Sequence, residues 1–226
     1  MAKYGAVLTY PDGKPFYIDG TRPLALLRKQ SFNLKVNDSN NAILSLDSAN
    51  TGNLFMYFVF FNSTSCSGRQ GVFDGNNCIF AYNYNGGYVS GDVYVFSIFN
   101  QPTPKYGIAV WDSSGNCILT NETKVLKGME RCPPVVVSGA RYLNYDTGIV
   151  KAASTLSTTG LVTYRLGGGG GVTPIAQEEY YSGCARNGAT TLLYSVPGVV
   201  AGSGGSVVSS AGYGFFPYFI DASMYD

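Results

Sequence analysis

Leu54-Phe55-Met56-Tyr57-Phe58-Val59-Phe60-Phe61 is the stretch from which the fold of this chain is read. All eight residues are apolar and five are aromatic. A strand with one wet face alternates apolar and polar positions; this one does not, so both of its faces have to be covered. Eight residues is the length of a strand and far short of the ~20 needed to span a membrane. Aromatic and β-branched content also favours strand over helix. The stretch is predicted to be a central core strand.

Its surroundings read the same way. Ser31 to Val36, Asn77 to Tyr84 and Tyr88 to Phe99 are rich in β-branched and aromatic residues. Asp74-Gly75-Asn76-Asn77 and Asn85-Gly86-Gly87 are turn signals, so Gly71 to Phe99 is predicted to be a meander of hairpins. Leu24 to Gln30 is too short for a helix that stands alone in water and fits a continuing strand or a single turn better. Beyond Cys132-Pro133-Pro134, further strands are expected at Val135 to Val137, Leu161 to Leu166 and Thr190 to Val196. A glycine/serine stretch, Gly198 to Ser210, leads to a final strand at Tyr213 to Ile220. That last segment is too hydrophobic for a loose tail and is expected to dock on its own domain or on a neighbouring subunit. The predicted fold is all-β, an antiparallel β-sandwich architecture.

The chain also repeats itself. Residues 3 to 24 and 105 to 126 align without a gap at an offset of 102, with six identities in 22 positions. Lys3-Tyr4-Gly5 recurs as Lys105-Tyr106-Gly107, Gly13 as Gly115, Thr21 as Thr123 and Leu24 as Leu126. Each copy is a strand, a turn (Pro11-Asp12-Gly13; Asp112-Ser113-Ser114-Gly115) and a return strand. The offset is the size of a small β-domain. Two sandwich-like domains are therefore expected, 1–101 and 102–226, each opened by a like hairpin.

Composition limits the chemistry. Charged residues are 13% of the chain, about half the usual share, so the surface is built from Ser, Thr, Asn, Gly and Tyr. Fifteen basic and 14 acidic side chains leave no field to attract a phosphate backbone, and nucleic acid is not an expected partner. There is no histidine, which removes the usual general base and the Ser-His and Cys-His nucleophile pairs. Glu178-Glu179 is the one adjacent acidic pair, and on a strand its members point to opposite faces. Asp12, Asp74 and Asp112 sit in turns, where they cap backbone amides. No enzyme activity, catalytic residue, metal or cofactor is expected. Cys66, Cys78, Cys117, Cys132 and Cys184 are odd in number and lack CxxC spacing. Cys66 and Cys78 could face each other across a hairpin, but reduced, buried thiols are favoured. Five glycines at Gly167 to Gly171 lack the Lys-Ser/Thr of a phosphate loop. They are a flexible surface loop or backbone packed where no side chain fits. The opening residues run into an alternating strand without a secretory leader, so the protein is expected to be made in a cytoplasm and not inserted in a membrane.

Eighteen tyrosines, several beside Asn, Ser and Gly, suit adaptable contact surfaces for glycans or proteins. Tyr82 and Tyr84 are expected in the core. Tyr88, Tyr180 and Tyr181, near glycine-rich turns or loops, are the candidate contacts, with core packing an equal alternative. The hairpin turns at Asp12, Gly13, Ser114 and Gly115 are the other positions singled out.

Val93-Tyr94-Val95-Phe96, the joint Gln101-Pro102-Thr103-Pro104, and then Tyr106-Gly107-Ile108-Ala109-Val110-Trp111-Asp112-Ser113-Ser114-Gly115-Asn116-Cys117-Ile118 form a pattern. It resembles a signature of small minor tail proteins of long-tailed, siphovirus-like bacteriophages. The opening Tyr4-Gly5-Ala6-Val7-Leu8-Thr9-Tyr10-Pro11-Asp12-Gly13-Lys14 is similar to the usual start of the same proteins. The matching parts cover about 50 of 226 residues. The family's Asp-Ser at the end of the return strand is only partly present, as Asp19-Gly20-Thr21 and Asn121-Glu122-Thr123, and the part after about residue 133 carries no match. The resemblance implies a virion protein of the distal tail tip or fibre, homo-oligomeric, bound to other phage tail proteins and displayed toward a bacterial surface glycan or outer-membrane receptor. Its first domain, 1–101, is then expected to anchor it to the virion, and its C-terminal domain, 102–226, with the longer glycine-rich loops, to contact the host or another subunit. A capsid decoration protein and a carbohydrate-binding module are the alternatives.

Overall fold

The structure is a computed structural model, described for residues 22–46, 55–112, 114–133, 143–165, 175–197, 206–212 and 216–226. The first hairpin copy with Asp12 and Gly13, the strand expected at 135–137 and the glycines 167–171 lie outside them. Sixteen strands are present among the described residues, with no α-helix. In chain order they are β1 (Ala25–Lys35), β2 (Asn41–Ser45), β3 (Phe55–Phe61), β4 (Cys66–Phe73), β5 (Asn76–Asn83), β6 (Tyr88–Ser97), β7 (Ala109–Trp111) and β8 (Cys117–Thr120). They continue as β9 (Glu130–Arg131), β10 (Asn144–Asp146), β11 (Ala152–Ser154), β12 (Thr158–Arg165), β13 (Ile175–Asn187), β14 (Thr190–Pro197), β15 (Ser206–Gly212) and β16 (Tyr218–Asp221). A single 3-10 turn, Ala222–Tyr225, follows β16. Among the described residues no helix is long and apolar enough to cross a membrane.

The unalternating stretch is β3, and it is central. It pairs antiparallel with β6 on one side, and on the other meets β11 (Val59 opposite Ser154) and β13 (Phe61 opposite Ala185). Tyr57, Val59 and Phe61 point into one core with Phe32, Leu44, Ile79, Val93 and Tyr194. Phe58 and Phe60 point into another with Tyr94, Phe96, Ile220, Ala222 and Tyr225. β6 divides its side chains in the same way, Val93 and Val95 to the first core, Tyr94 and Phe96 to the second. A strand pair with two apolar faces needs a cover on each, and the chain supplies two different ones.

Over the first face lies a three-stranded sheet of order β2-β5-β4. Its hairpin turn, Asp74-Gly75, has φ of 49° and 77°, the left-handed pair that a two-residue hairpin requires. Over the second face lies the end of the chain: β16 pairs with β11 and β9, and the 3-10 turn inserts Ala222 and Tyr225. The expected docking of the last segment is thus on its own chain, although its strand begins at Tyr218 and the preceding Ser206–Gly212 is itself a strand, β15.

Two expectations are corrected. Gly71 to Phe99 is not a continuous meander: β4 and β5 pair with each other, but β6 belongs to the large sheet, between β1 and β3. Asn85-Gly86-Gly87 therefore carries the chain from one sheet to the other. Nor does the sheet divide at 101/102: β1, β3 and β6 share eleven strands with β9 to β16, and Leu156, Ala185 and Tyr194 complete the first core. The fold is sandwich-like, with its layers assembled from both halves of the sequence.

The second hairpin copy forms a separate ribbon, β7-β8. Where the two copies end they meet: Ala25 bridges Val125, and the Leu126 N–H donates to the Leu24 carbonyl at 2.8 Å. Leu24 and Leu126 are equivalent positions of the repeat, so the copies approach each other tail to tail.

Candidate functional site

Three connections gather at one end of the sandwich, residues 36–40 (β1 to β2), 62–65 (β3 to β4) and 84–87 (β5 to β6). They contain mainly Asn, Ser, Thr, Gly and Tyr. Short polar side chains here hold backbone rather than face solvent idly. Asn37 Oδ1 accepts the amides of Ser39 (2.9 Å) and Asn41 (3.1 Å), and Asn40 takes a left-handed φ of 58°. Buried Asn83 accepts from the Asn85 amide (3.1 Å) and donates to the Tyr88 carbonyl (2.6 Å). Asn62 donates to the Ser90 hydroxyl at 3.1 Å.

The connections are also tied to each other. The Val36 amide donates to the Gly87 carbonyl (2.9 Å), Asn83 to Asn40 (3.0 Å) and Tyr84 to Ser65 (3.0 Å). From the far side, the Tyr194 hydroxyl reaches the carbonyls of Ser63 (2.9 Å) and Cys66 (2.5 Å). Burial pushes that phenol well above its ordinary value, so it stays a donor. Gly183 makes the approach possible, because a Cβ there would meet the Tyr194 ring and the Cys66 carbonyl oxygen.

On this fixed frame stands Tyr84, 49% exposed, with Tyr88 at 59%. Thr64, Ser65, Tyr84 and Asn85 form one wall of an open cleft of about 400 Å³; Tyr180, Val196 and Pro197 form the other. No charged side chain lines it.

The structure places the tyrosines differently from expectation. Tyr84, expected in the core with Tyr82, is exposed because β5 ends at Asn83 and the alternation stops there. Tyr82 is buried and stacks on Tyr181 at 4.7 Å between centroids. Tyr180 and Tyr181 are 4% and 3% exposed, so of the two open alternatives core packing holds for both. Each has a carboxylate two residues back on its own face. Tyr181 donates to Glu179 at 2.5 Å; Tyr180 lies 3.4 Å from Glu178, which also accepts from Tyr164 at 2.8 Å. Burial, then these neighbours, push both phenols upward. Of the two, Tyr180 lines the cleft and Tyr181 does not. Tyr88 is on the surface but does not line it, so the three candidates form no common site.

In the β7-β8 ribbon Asp112 caps the turn, as expected: its Oδ1 accepts the amides of Ser114 and Asn116, both at 2.9 Å, and Gly115 takes a φ of 80°. The Asn116 side chain and amide, with Arg22 at 2.5 Å, hold the Asp112 carboxyl down to about 2. Tyr106, Ile108 and Trp111 are exposed on this ribbon, Tyr106 at 80%. The five cysteines are buried and free. Cys66 lies opposite Asn83 and Cys78 opposite Gly71, so the two thiols do not face each other across their hairpin.

A cluster not anticipated from the sequence is a closed ring of charge. Lys29 lies 2.8 Å from Asp226 and 3.8 Å from Asp92; Lys151 lies 2.8 Å from Asp226 and 2.9 Å from Asp92. Buried Tyr94 donates to Asp226 at 2.6 Å, and Ser31 donates to Asp92 at 2.6 Å. Partial burial works against both carboxyls, but these hydrogen bonds and lysines win and hold each below its usual value. The ring is neutral and internally satisfied, which suits a clasp rather than a catalytic group.

Comparison of the chain with family models, with curated proteins and with solved structures finds no match in any of the three.

Proposed function

We propose that this protein is a structural component of a bacteriophage tail, at the distal tip or on a fibre, which joins other tail proteins and contributes to host attachment. The observation that carries the reading is the ribbon bearing the resemblance, Tyr106 to Ile118. It folds apart from the large sheet, its turn is capped by Asp112 and tied by Arg22, and it turns Tyr106, Ile108 and Trp111 outward. Exposed aromatic and apolar side chains on a short, braced ribbon are what a contact to another tail protein, or to a second copy of the chain, uses. The Asn-fixed loop end is a separate surface, so one molecule can hold the virion and face the bacterium at once.

The test is labelling of intact particles with gold-conjugated antibody to this chain. Label at the tail tip or fibre is the expected result. Label spread over the head favours a capsid decoration protein, and particles without label end the virion reading. The cleft at Tyr84 favours a second reading, a carbohydrate-binding module working outside any particle, and unlabelled particles combined with glycan binding would select it.

A further inference from the structure

We infer that the cleft walled by Thr64, Ser65, Tyr84 and Asn85 on one side and by Tyr180 and Pro197 on the other binds an uncharged saccharide, one or two sugar rings at a time. This deepens the attachment role proposed above and rests on that reading for its biological setting, though not for its chemistry.

Charge excludes the first class of ligand. No Lys, Arg, Asp or Glu lines the cleft, so an anionic or cationic ligand would give up water without an opposite charge in return. What the walls do offer is neutral and of two kinds. Tyr84 is half exposed and lines the cleft, and a tyrosine ring is a surface on which the C–H face of a pyranose lies while its polar end stays wet. Beside it, the Thr64 hydroxyl, the Asn85 carboxamide and the Tyr84 hydroxyl make no hydrogen bond to any described residue. They are donors and acceptors in reach of a ligand that is itself a ring of hydroxyls.

Preorganisation is the second argument. Tyr84 and Asn85 are held from behind by their main-chain amides, on Ser65 (3.0 Å) and Asn83 (3.1 Å), and the neighbouring loop by Tyr194 on Ser63 (2.9 Å). The side chains that would meet the sugar are thus carried by backbone already ordered, and weak contacts are not offset by loop ordering. The volume, about 400 Å³, lies at the small end of ligand sites and matches a mono- or disaccharide unit rather than a folded partner. A peptide would want a deep apolar pocket for an anchor, and the apolar lining here is limited to Val196, Pro197 and the two tyrosine rings.

The experiment uses the purified full chain on an array of neutral bacterial and plant oligosaccharides with sialylated and sulfated glycans beside them, followed by calorimetric titration of the best free oligosaccharide. Neutral glycans are expected to bind. Tyr84→Ala is expected to weaken the hit on the order of tenfold or more and Asn85→Ala on the order of threefold, magnitudes set by one stacked ring and one neutral hydrogen bond. Tyr88→Ala, exposed but outside the cleft, is expected to bind as the unmodified chain does. Should Tyr84→Ala melt early, Thr64→Val reads the same cleft from the other loop, with a weakening on the order of threefold. A blank array, hits confined to charged glycans, capture of a peptide library in place of glycans, or cleft variants that bind normally would each overturn the inference. Particle labelling reports separately: labelled tails with a blank array sink the saccharide site alone, and glycan binding without labelled particles sinks the tail alone.

Discussion

The two faces of β3 are covered by different means. On the Tyr57, Val59, Phe61 face lies a separate sheet in which the β4-β5 hairpin is joined by β2, a strand that precedes β3 in the chain. On the Phe58, Phe60 face lies a single late segment, β16 with its 3-10 turn, brought from more than 150 residues away and clasped by the Lys29, Asp92, Lys151, Asp226 ring. The first cover is a separate sheet whose ladder bonds join its own strands, and it meets the β3 face by packing over many residues. The second pairs four strand residues with β9 and β11, and its turn is held by Tyr225 against Phe96 (4.9 Å), Tyr94 on Asp226, Lys151 over the Phe60 and Tyr94 rings, and Lys124 on the carbonyls of Tyr225 and Asp226. A central strand can be equally dry on both faces and still be covered by a broad separate layer on one and a single short segment on the other.

The sharpest way to break that comparison is to empty one face at a time. Phe58 and Phe61 are both fully buried, Phe58 edge-on to Phe96 at 5.8 Å and Phe61 edge-on to Phe32 at 6.2 Å. Either change to Ala is expected to cost about 3–5 kcal/mol. Hydrogen exchange separates them: Phe58→Ala is expected to lose protection first in 216–226, Phe61→Ala in β2, β4 and β5. Identical exchange maps would mean that the covers do not differ.

Gly183→Ala comes next. Its methyl would push Tyr194 off the carbonyls of Ser63 and Cys66, with a loss of about 2–3 kcal/mol from overpacking. Because Tyr194 belongs to the first core and anchors the loop end, chemical denaturation is expected to show lower stability while the 216–226 amides keep their relative protection. A variant as stable as the unmodified chain would show that the strand yields at this point.

How much of this could be read beforehand follows from the range of each interaction. β3 declared its two dry faces through an unbroken apolar run, and Asp74-Gly75 declared its hairpin through conformations that few residues adopt. Asn85-Gly86-Gly87 was equally clear as a turn, but turn chemistry fixes local dihedrals and does not say which sheet the next strand joins; that was settled by the apolar sets of β6 seeking β1 and β3. Glu178-Glu179-Tyr180-Tyr181 carried its burial in plain order, two carboxylates each two residues before a phenol on the same face, a sign that period-two reasoning could have used. The cleft was only half visible: Tyr84 and Asn85 stand in a recognisable turn, whereas Thr64, Ser65 and Pro197 arrive from other segments. The charge ring was invisible because its four members are scattered from residue 29 to 226 with no local spacing.

Tyr94→Phe tests the clasp at its buried end. It removes one hydrogen bond to a carboxylate, and the fully buried ring keeps its packing, so a loss of about 1.5–2 kcal/mol is expected, read as a lower melting temperature. A phenylalanine variant that melts with the unmodified chain would reduce the ring to surface decoration.

The smallest effect, and the one most specific to the second cover, is its dependence on pH. Asp226 and Asp92 are held below their ordinary values in the fold, so near pH 4 the unfolded chain binds more protons than the native one. Their stabilisation is fully present above the unfolded value of about 3.9 and is lost as pH falls through the lower folded values. Lys151 is raised, since its hydrogen bonds to Asp226, Tyr94 and Asp92 outweigh the opposing burial, and it contributes fully below the unfolded lysine value of about 10.4. Acid, and not mild alkali, therefore opens the ring. Asp226→Asn is expected to be less stable than the unmodified chain by about 1 kcal/mol at pH 7, discounted for partial exposure. That gap should narrow steadily in thermal melts as pH falls from 5 to 2, and narrow in high salt. A gap that stays constant down to pH 2 would mean that the charge of Asp226 is not what stabilises the ring, and the second cover would then be held by packing and neutral hydrogen bonds.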